Sequence, residues 1–195
     1  LELREANTTR PILPKTWHDI TLATVSYGYG MSVSLLHLAK AYAILGNGGF
    51  NVEPTILKTN HNSHSGSRVI KKKTSDEMLK LLEAVVTDQR GTAKNLGSKY
   101  YRIGGKTGTA EKISLEQRGY QKNKVVANFV GLFPLQEPRF VIAAFLDEPE
   151  NKFLKEPCRY ASCTVVPMVK KLIERTGPLM NVTPDHQVSK FYKGL

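Results

Sequence analysis

The segment that most constrains this chain is 101–110, which reads Tyr-Arg-Ile-Gly-Gly-Lys-Thr-Gly-Thr-Ala. Lys106 is followed by two hydroxyl residues and a glycine, and we interpret the segment as a strand. Gly104, Gly105 and Gly108 fall inside it. Glycine weakens a strand interior and often marks a bulge or a close approach by a ligand or another backbone. We therefore expect either an irregular edge strand or a strand along which a ligand lies.

A phosphate-binding loop is one candidate for the Gly-Lys-Thr tripeptide at 105–107. That motif requires a further glycine five positions before Gly105, where the chain has Tyr100. The phosphate loop also opens a helix, whereas Lys106 lies within a strand pattern. The sequence therefore excludes this interpretation.

Two helices are predicted before the glycine-rich strand. The Ala/Leu-rich segment 33–45 favours a helix that is largely buried, with Ser32 or Ser34 as its N-cap and a glycine terminator at 47–49. Residues 74–77 fit a capping box, and apolar residues at helical spacing follow up to Arg90-Gly91. Residues 1–21 and 58–67 are predicted as loops.

Two strands and a helix are predicted after it. The apolar runs 124–133 and 139–147 flank a short turn, which predicts an antiparallel hairpin, and residues 111–123 form a polar connection to the first strand. A helix follows from about Val165, with Pro167 in its first turn. Gly177-Pro178 should end that helix. The predicted fold class is α+β, an antiparallel sheet with helices packed on it.

Composition excludes several functional classes. The 195 residues are 41% hydrophobic, enough for the core of one domain, and contain no apolar run of the roughly 18 residues that span a membrane. The net charge is +11, but aromatic residues do not interleave with the basic run at 71–73, so nucleic-acid binding is not expected. The histidines show no metal-ligand spacing, and no metal or cofactor is expected. Cys158 and Cys163 could form a disulfide, which their spacing leaves open.

Lys106-Thr107-Gly108 in its context resembles the Lys-Thr-Gly motif of penicillin-binding proteins and serine β-lactamases. The glycine-rich loop and helix at 26–49 resemble the segment upstream of that motif in the class B, monofunctional penicillin-binding proteins. Arg90-Gly-Thr-Ala93 and the helix entry at 160–168 fit as well. The resemblance covers residues 22–177. It implies that residues 1–177 are the C-terminal portion of a transpeptidase domain, an incomplete penicillin-binding fold, and that 178–195 are a flexible tail.

The resemblance implies an acyl transfer. A serine attacks the penultimate D-alanine carbonyl of a peptidoglycan stem peptide, the terminal D-alanine leaves, and an amine of a neighbouring stem resolves the acyl-enzyme into a cross-link. Lys106 is the expected fixed charge that favours the substrate carboxylate and assists proton movement. Thr107 and Thr109 would offer hydroxyls to that carboxylate, and Gly108 would let the substrate pair with the strand. The Thr109 N–H would be an oxyanion donor. Because the pleat alternates, Lys106 and Thr107 can serve one cleft only from an edge strand.

The family's Ser-x-x-Lys and Ser-x-Asn motifs are absent from these 195 residues. We therefore expect the chain to be inactive alone, and to self-associate through exposed strand edges. The resemblance implies stem peptides and β-lactams as ligands, a membrane anchor and division proteins as partners, and a periplasmic or extracellular catalytic domain on the bacterial inner membrane, with a septal role favoured. The alternatives are a non-catalytic penicillin sensor or scaffold, or a D,D-carboxypeptidase.

Overall fold

The computed structural model describes residues 10–56, 66–113 and 119–185. Three antiparallel strands form one sheet in the order β1–β2–β3, with bounds β1 Gly104–Ile113, β2 Tyr120–Phe133 and β3 Phe140–Asp147. The helices are α1 Asp19–Ser26, α2 Leu35–Gly46, α3 Lys72–Thr87 and α4 Val165–Leu179, with a short 3₁₀ turn at Lys94–Leu96. This arrangement confirms the predicted α+β class.

The β1–β2 hairpin extends further than its side chains predict. The predicted polar connection 111–123 is partly strand, since β1 runs to Ile113 and β2 begins at Tyr120; residues 114–118 lie outside the described part. Two strands can pair through their backbones without apolar side chains, so this polar segment can continue the sheet. Lys112 instead forms ion pairs with Asp147 and Glu148 across the sheet, which supports this polar extension.

The sheet carries a separate apolar layer on each face. On one face, Ala127 and Phe129 are completely buried, in a cluster with Val165, Val169 and Ile173 of α4. Residues with the opposite pleat form the second layer, where Leu132 packs with Leu82 of α3 and with α2 side chains. Helix α4 therefore covers one face, and helices α2 and α3 cover the other.

Helix α2 confirms the predicted cap but not the predicted burial. Ser34 is its N-cap, with Oγ accepting the His37 N–H at 3.3 Å, and Gly48 and Gly49 follow its end with φ of +63° and +90°. No residue of α2 is fully buried. Its apolar composition exceeds what α3 and the sheet cover in the part of the chain that the structure describes.

The predicted capping box at 74–77 is wrong. Helix α3 begins at Lys72 with Lys71 as its N-cap, which places Ser75 inside the first turns. Ser75 is completely buried, and its hydroxyl donates to the Leu45 carbonyl of α2 at 2.5 Å. A hydroxyl of the segment that the sequence pattern predicts as a helix cap therefore makes a tertiary hydrogen bond to another helix. The helix also ends at Thr87, earlier than predicted.

The start of helix α1 and the end of helix α4 both differ from the sequence prediction. Helix α1 begins at Asp19, within the region predicted as loop, and most of the predicted loop 58–67 lies outside the described residues. Helix α4 passes Gly177-Pro178 and ends at Leu179. Gly177 packs against Tyr101, whose hydroxyl would lie 2.5 Å from an added Cβ. Pro178 has no backbone N–H to donate in the last turn, and the helix ends at the next residue.

The predicted tail begins later than residue 178. Val182 is buried, and the Asp185 N–H donates to the Tyr100 carbonyl at 2.8 Å. These contacts hold the chain up to residue 185 against the segment leading into β1. Residues 186–195 of the predicted tail lie outside the described part.

Candidate functional site

Strand β1 is an edge strand in the part of the chain that the structure describes, since only β2 pairs with it. Lys106 pairs with Val130, and Thr107 pairs with Phe129, so the two side chains leave opposite faces of the sheet. Thr107 and Thr109 lie on the face of α4, and Lys106 lies on the face of α2 and α3. The edge position meets the condition under which both faces can serve one cleft.

Lys106 is exposed and folds over its own strand. Its Nζ donates to the Thr107 carbonyl at 2.9 Å. The side chain lines an open cleft of about 470 Å³ between the end of α3 and β1, together with Asp88, Arg90 and Thr92. The ammonium group is thus solvent-accessible and able to meet an anionic ligand beside the strand.

Thr107 is held by a residue that the sequence interpretation did not assign a role. Its Oγ1 lies 2.7 Å from Thr92 Oγ1, so one hydroxyl donates to the other. Gly91 lets the chain approach α3 closely, since an added Cβ would lie 2.2 Å from the Val85 carbonyl oxygen. The family resemblance at Arg90-Gly-Thr-Ala93 indicates that this segment belongs to the domain. The contact between Thr92 and β1 is visible only in the folded structure.

Thr109 lies on the same face as Thr107 and is held by the segment that leads into α4. Its Oγ1 accepts the Ala161 N–H at 3.1 Å. It lines a second cleft of about 420 Å³ with Tyr29, Arg159 and Tyr160. Both threonine hydroxyls of β1 are therefore oriented by hydrogen bonds from outside the sheet.

Glu111 and Arg159 are the charged residues that line the second cleft, and Arg159 is held by an ion pair. Arg159 Nη2 donates to Glu150 Oε1 at 2.6 Å. The Arg159 guanidinium, with help from Lys152, holds the pKa of the Glu150 carboxyl below its ordinary value. The pair fixes Arg159 beside the segment that carries Tyr160.

The β1 glycines have neighbours within the sheet. A Cβ at Gly105 would lie 2.3 Å from Phe129 Cζ and 2.6 Å from the Val130 carbonyl oxygen. A Cβ at Gly108 would lie 2.5 Å from Asn128 Oδ1. Close packing by the β2 backbone is therefore sufficient to require glycine at 105, whereas at 108 the neighbour is the end of a flexible side chain. The glycine identities alone do not demonstrate a ligand.

Cys158 and Cys163, whose state the sequence leaves open, form a disulfide with a Cα–Cα distance of 6.3 Å. Among the described residues, no group of three or more His, Cys, Asp or Glu side chains is arranged to hold a metal ion. None of the described helices combines the length and apolar character that crossing a bilayer requires.

The model of the family "Penicillin binding protein transpeptidase domain" matches residues 2–173. The chain belongs to this family. The match includes both clefts, all of β1 and the Cys158–Cys163 turn, so the whole candidate site falls within a penicillin-binding protein transpeptidase domain.

Curated relatives of this transpeptidase-family chain are named as peptidoglycan enzymes. The probable peptidoglycan D,D-transpeptidase FtsI of Caulobacter vibrioides is 34% identical over 188 residues, covering 93% of this chain and 32% of the relative. The probable peptidoglycan D,D-transpeptidase PenA of Neisseria gonorrhoeae is 32% identical over 170 residues, covering 87% of this chain and 28% of the relative. The chain thus spans about a third of the length of these relatives.

Solved structures of the family share the fold. The transpeptidase domain of Burkholderia pseudomallei penicillin-binding protein 3 superposes with a TM-score of 0.76 at 39% identity, covering 88% of this chain and 50% of that domain. Penicillin-binding protein 3 of Mycobacterium tuberculosis, complexed with ampicillin, gives a TM-score of 0.76 at 25% identity, covering 91% of this chain and 42% of that one. These matches confirm the predicted fold and family.

Proposed function

We propose that the full-length protein containing this chain is a serine D,D-transpeptidase that cross-links peptidoglycan stem peptides and binds β-lactams. The observation that carries the proposal is the edge strand β1, which presents a cationic Lys106 and two externally held threonine hydroxyls along one open edge. The names of the FtsI and PenA relatives and the ampicillin complex of a structural neighbour support the same assignment.

The residues of β1 divide the work of binding and polarising the substrate. Lys106 attracts the terminal carboxylate of the stem peptide or the β-lactam, and assists proton transfer near the nucleophile. The Thr107 and Thr109 hydroxyls donate hydrogen bonds to the same carboxylate. The backbone at Gly108 pairs with the extended substrate, a common use of an exposed strand edge.

The Thr109 N–H contributes to stabilisation of the tetrahedral intermediate. As negative charge develops on the attacked carbonyl oxygen, a fixed backbone N–H lowers the barrier without reorganisation. Removal of one such donor costs about 10²–10³ in rate in well-studied enzymes. The Ala161 bond to the Thr109 side chain helps to keep this part of the strand in place.

The remaining machinery is assigned outside this chain. The proposal requires a Ser-x-x-Lys nucleophile motif and a Ser-x-Asn motif upstream, a membrane anchor, and division proteins as partners at the septum. We assign residues 1–177 to the C-terminal portion of the catalytic domain, on the periplasmic or extracellular side of the inner membrane. The Cys158–Cys163 disulfide supports that location, because disulfides persist chiefly in oxidising compartments.

Covalent labelling of the full-length protein by a fluorescent penicillin tests the proposal. We expect a labelled band that excess unlabelled ampicillin abolishes, and Lys106→Gln should slow labelling at least about tenfold through loss of a charged hydrogen bond. Lys112→Gln is the matched control, since Lys112 lies on the same strand but pairs with Asp147 and Glu148. It should label at the wild-type rate.

Absence of labelling in folded full-length protein would refute the transpeptidase assignment and favour a scaffold. With a stem-peptide substrate, the enzyme should release the terminal D-alanine and transfer the acyl group to an amine acceptor; labelling without that transfer would contradict cross-linking. Transfer of the acyl group to water alone would identify a carboxypeptidase. Equal loss in the Lys106 and Lys112 variants would show that the charge of β1, and not the position of Lys106, is what matters.

A further inference from the structure

We propose that the disulfide-closed turn Cys158–Cys163 is a positioning element for the Thr109 hydroxyl. The turn carries the Ala161 N–H that donates to Thr109 Oγ1. This inference rests on the proposed function, because it concerns how the strand presents that hydroxyl to a substrate or β-lactam carboxylate. It assigns a role in the site to the bridge and to the Ala161 backbone amide.

Both ends of the turn are anchored to one residue. Asn151 and Cys158 exchange backbone hydrogen bonds of 2.8 and 3.2 Å. The Asn151 Nδ2 group donates to the Cys163 carbonyl at 3.0 Å. The disulfide then closes the six-residue segment between these two points, so its ends cannot separate independently.

The interior of the turn is also fixed. The Tyr160 carbonyl accepts the Cys163 N–H at 3.1 Å and the Thr164 hydroxyl at 2.8 Å. With that carbonyl directed towards the start of α4, the next amide, Ala161 N–H, is directed at β1. Ala161 is 1% exposed, and its small side chain lets the turn lie directly against the strand.

The direction of the Ala161 bond decides what Thr109 can do. A hydroxyl has one donor and two acceptor sites. Since Thr109 Oγ1 accepts from Ala161, its rotamer is held while its own O–H proton remains available for an anionic ligand. Opening the bridge would let the turn move and would leave the hydroxyl to rotate, so the ordered donor would be lost without loss of the residue itself.

A double-mutant cycle in the full-length protein tests this coupling. The four forms are the wild type, the Cys158→Ser/Cys163→Ser pair, Thr109→Val, and their combination, with penicillin acylation rate as the readout. We expect the cysteine pair to slow acylation about three- to tenfold, the range that one ordinary hydrogen bond carries. In the Thr109→Val background the same pair should change the rate less than about twofold.

Two controls separate positioning from general destabilisation. Ile173→Val, a buried position of α4 ten residues beyond Cys163, should lower the melting temperature while leaving the acylation rate unchanged. Thr109→Ser, which keeps the hydroxyl, should retain the sensitivity to the cysteine pair that Thr109→Val removes. A merely structural bridge would not produce this dependence on the hydroxyl.

Equal slowing by the cysteine pair in both backgrounds would overturn the inference, as would no slowing in the wild-type background. If the full-length protein fails to acylate at all, the proposed function is refuted, and the positioning is judged by hydrogen exchange. There, Thr109→Val and the cysteine pair should each speed exchange of the Ala161 amide. Unchanged Ala161 exchange in both variants would overturn the inference on its own.

Discussion

Gly108→Ala offers the sharpest test of why β1 contains glycine beside Lys106. An added Cβ would lie 2.5 Å from Asn128 Oδ1 and 2.7 Å from Asn128 Nδ2, where ordinary contact begins at about 3.4 Å. The three nearest atoms to that Cβ all belong to the Asn128 carboxamide, which is the end of a flexible side chain. The variant should therefore displace Asn128 rather than separate the strands.

The expected cost follows from two opposing terms. Overpacking costs about 1–3 kcal/mol in the free energy of unfolding, and the flexible neighbour places this site at the lower end. Alanine also lowers the conformational entropy of the unfolded chain, which stabilises the folded state by about 0.4–1 kcal/mol. We expect a net loss of roughly 0.5–1.5 kcal/mol. Adding Asn128→Ala should remove the clash and so recover most of the lost free energy of unfolding, which is a favourable coupling between the two sites.

The assay is urea denaturation of the full-length protein together with its rate of penicillin acylation. Because a Cβ stands perpendicular to the sheet while a substrate would pair at the strand edge, the double variant should recover both stability and acylation. Gly105→Ala is the control, since the Val130 carbonyl oxygen, a backbone atom, lies 2.6 Å from its Cβ; Asn128→Ala should not rescue it.

Two outcomes would refute this reasoning. If Asn128→Ala fails to restore the stability of Gly108→Ala, the carboxamide is not what requires the glycine. The second outcome is that stability returns while acylation stays at least about tenfold slow, a larger effect than one ordinary hydrogen bond explains. In that case the ligand, and not Asn128, requires glycine at this position.

Further measurements address the surroundings of the strand. Thr92→Val should slow acylation about three- to tenfold by removing the hydroxyl bond to β1, whereas Thr92→Ser should not; equal effects would contradict that role. Arg102→Gln should lower the free energy of unfolding by about 2 kcal/mol in urea, since Arg102 donates two bonds of 2.8 and 2.9 Å to the half-buried Glu83; an unchanged midpoint would contradict it. The lowered Glu150 pKa means that its stabilising contribution is present above the ordinary value of 4.5 and is lost as pH falls through the folded value. An NMR titration should show this midpoint, and Arg159→Gln should raise it; no change on substitution would exclude the ion pair as the cause. The isolated chain should self-associate in light scattering, because β1 and β3 each pair only with β2 among the described residues; a monomer at high concentration would contradict this.

The elements best predicted from the sequence are those with strong local signals. The apolar runs in β2 and β3, the Ser34 cap of α2 and the first-turn position of Pro167 in α4 all match the structure. Each depends on residues adjacent in the chain. The family motif at β1 is likewise a local pattern, and it predicts Lys106 and its neighbours as site residues from the sequence alone.

Contacts between residues that are distant in the chain could not be predicted from local sequence patterns. The capping box at 74–77 is wrong because helix α3 begins at Lys72 with Lys71 as its N-cap, which puts these residues inside the helix. There Ser75 bonds to Leu45, thirty positions earlier in the chain. Thr92 was passed over because only the fold sets its hydroxyl beside Thr107. A disulfide between Cys158 and Cys163 was permitted by spacing, but its connection to Thr109 depends on how the turn packs against β1.

The geometry of β1 reconciles a lysine and two threonines that alternate across a pleat. An interior strand would bury one face under α4 and the other under α2 and α3, leaving no common space for a ligand. At the edge, the side chains of both faces border the same open side, and Lys106 already curls towards the Thr107 carbonyl. Thr92 and Ala161 hold the two hydroxyls from outside the sheet, so contacts within the described part of the chain already fix the polar side chains along this edge of β1.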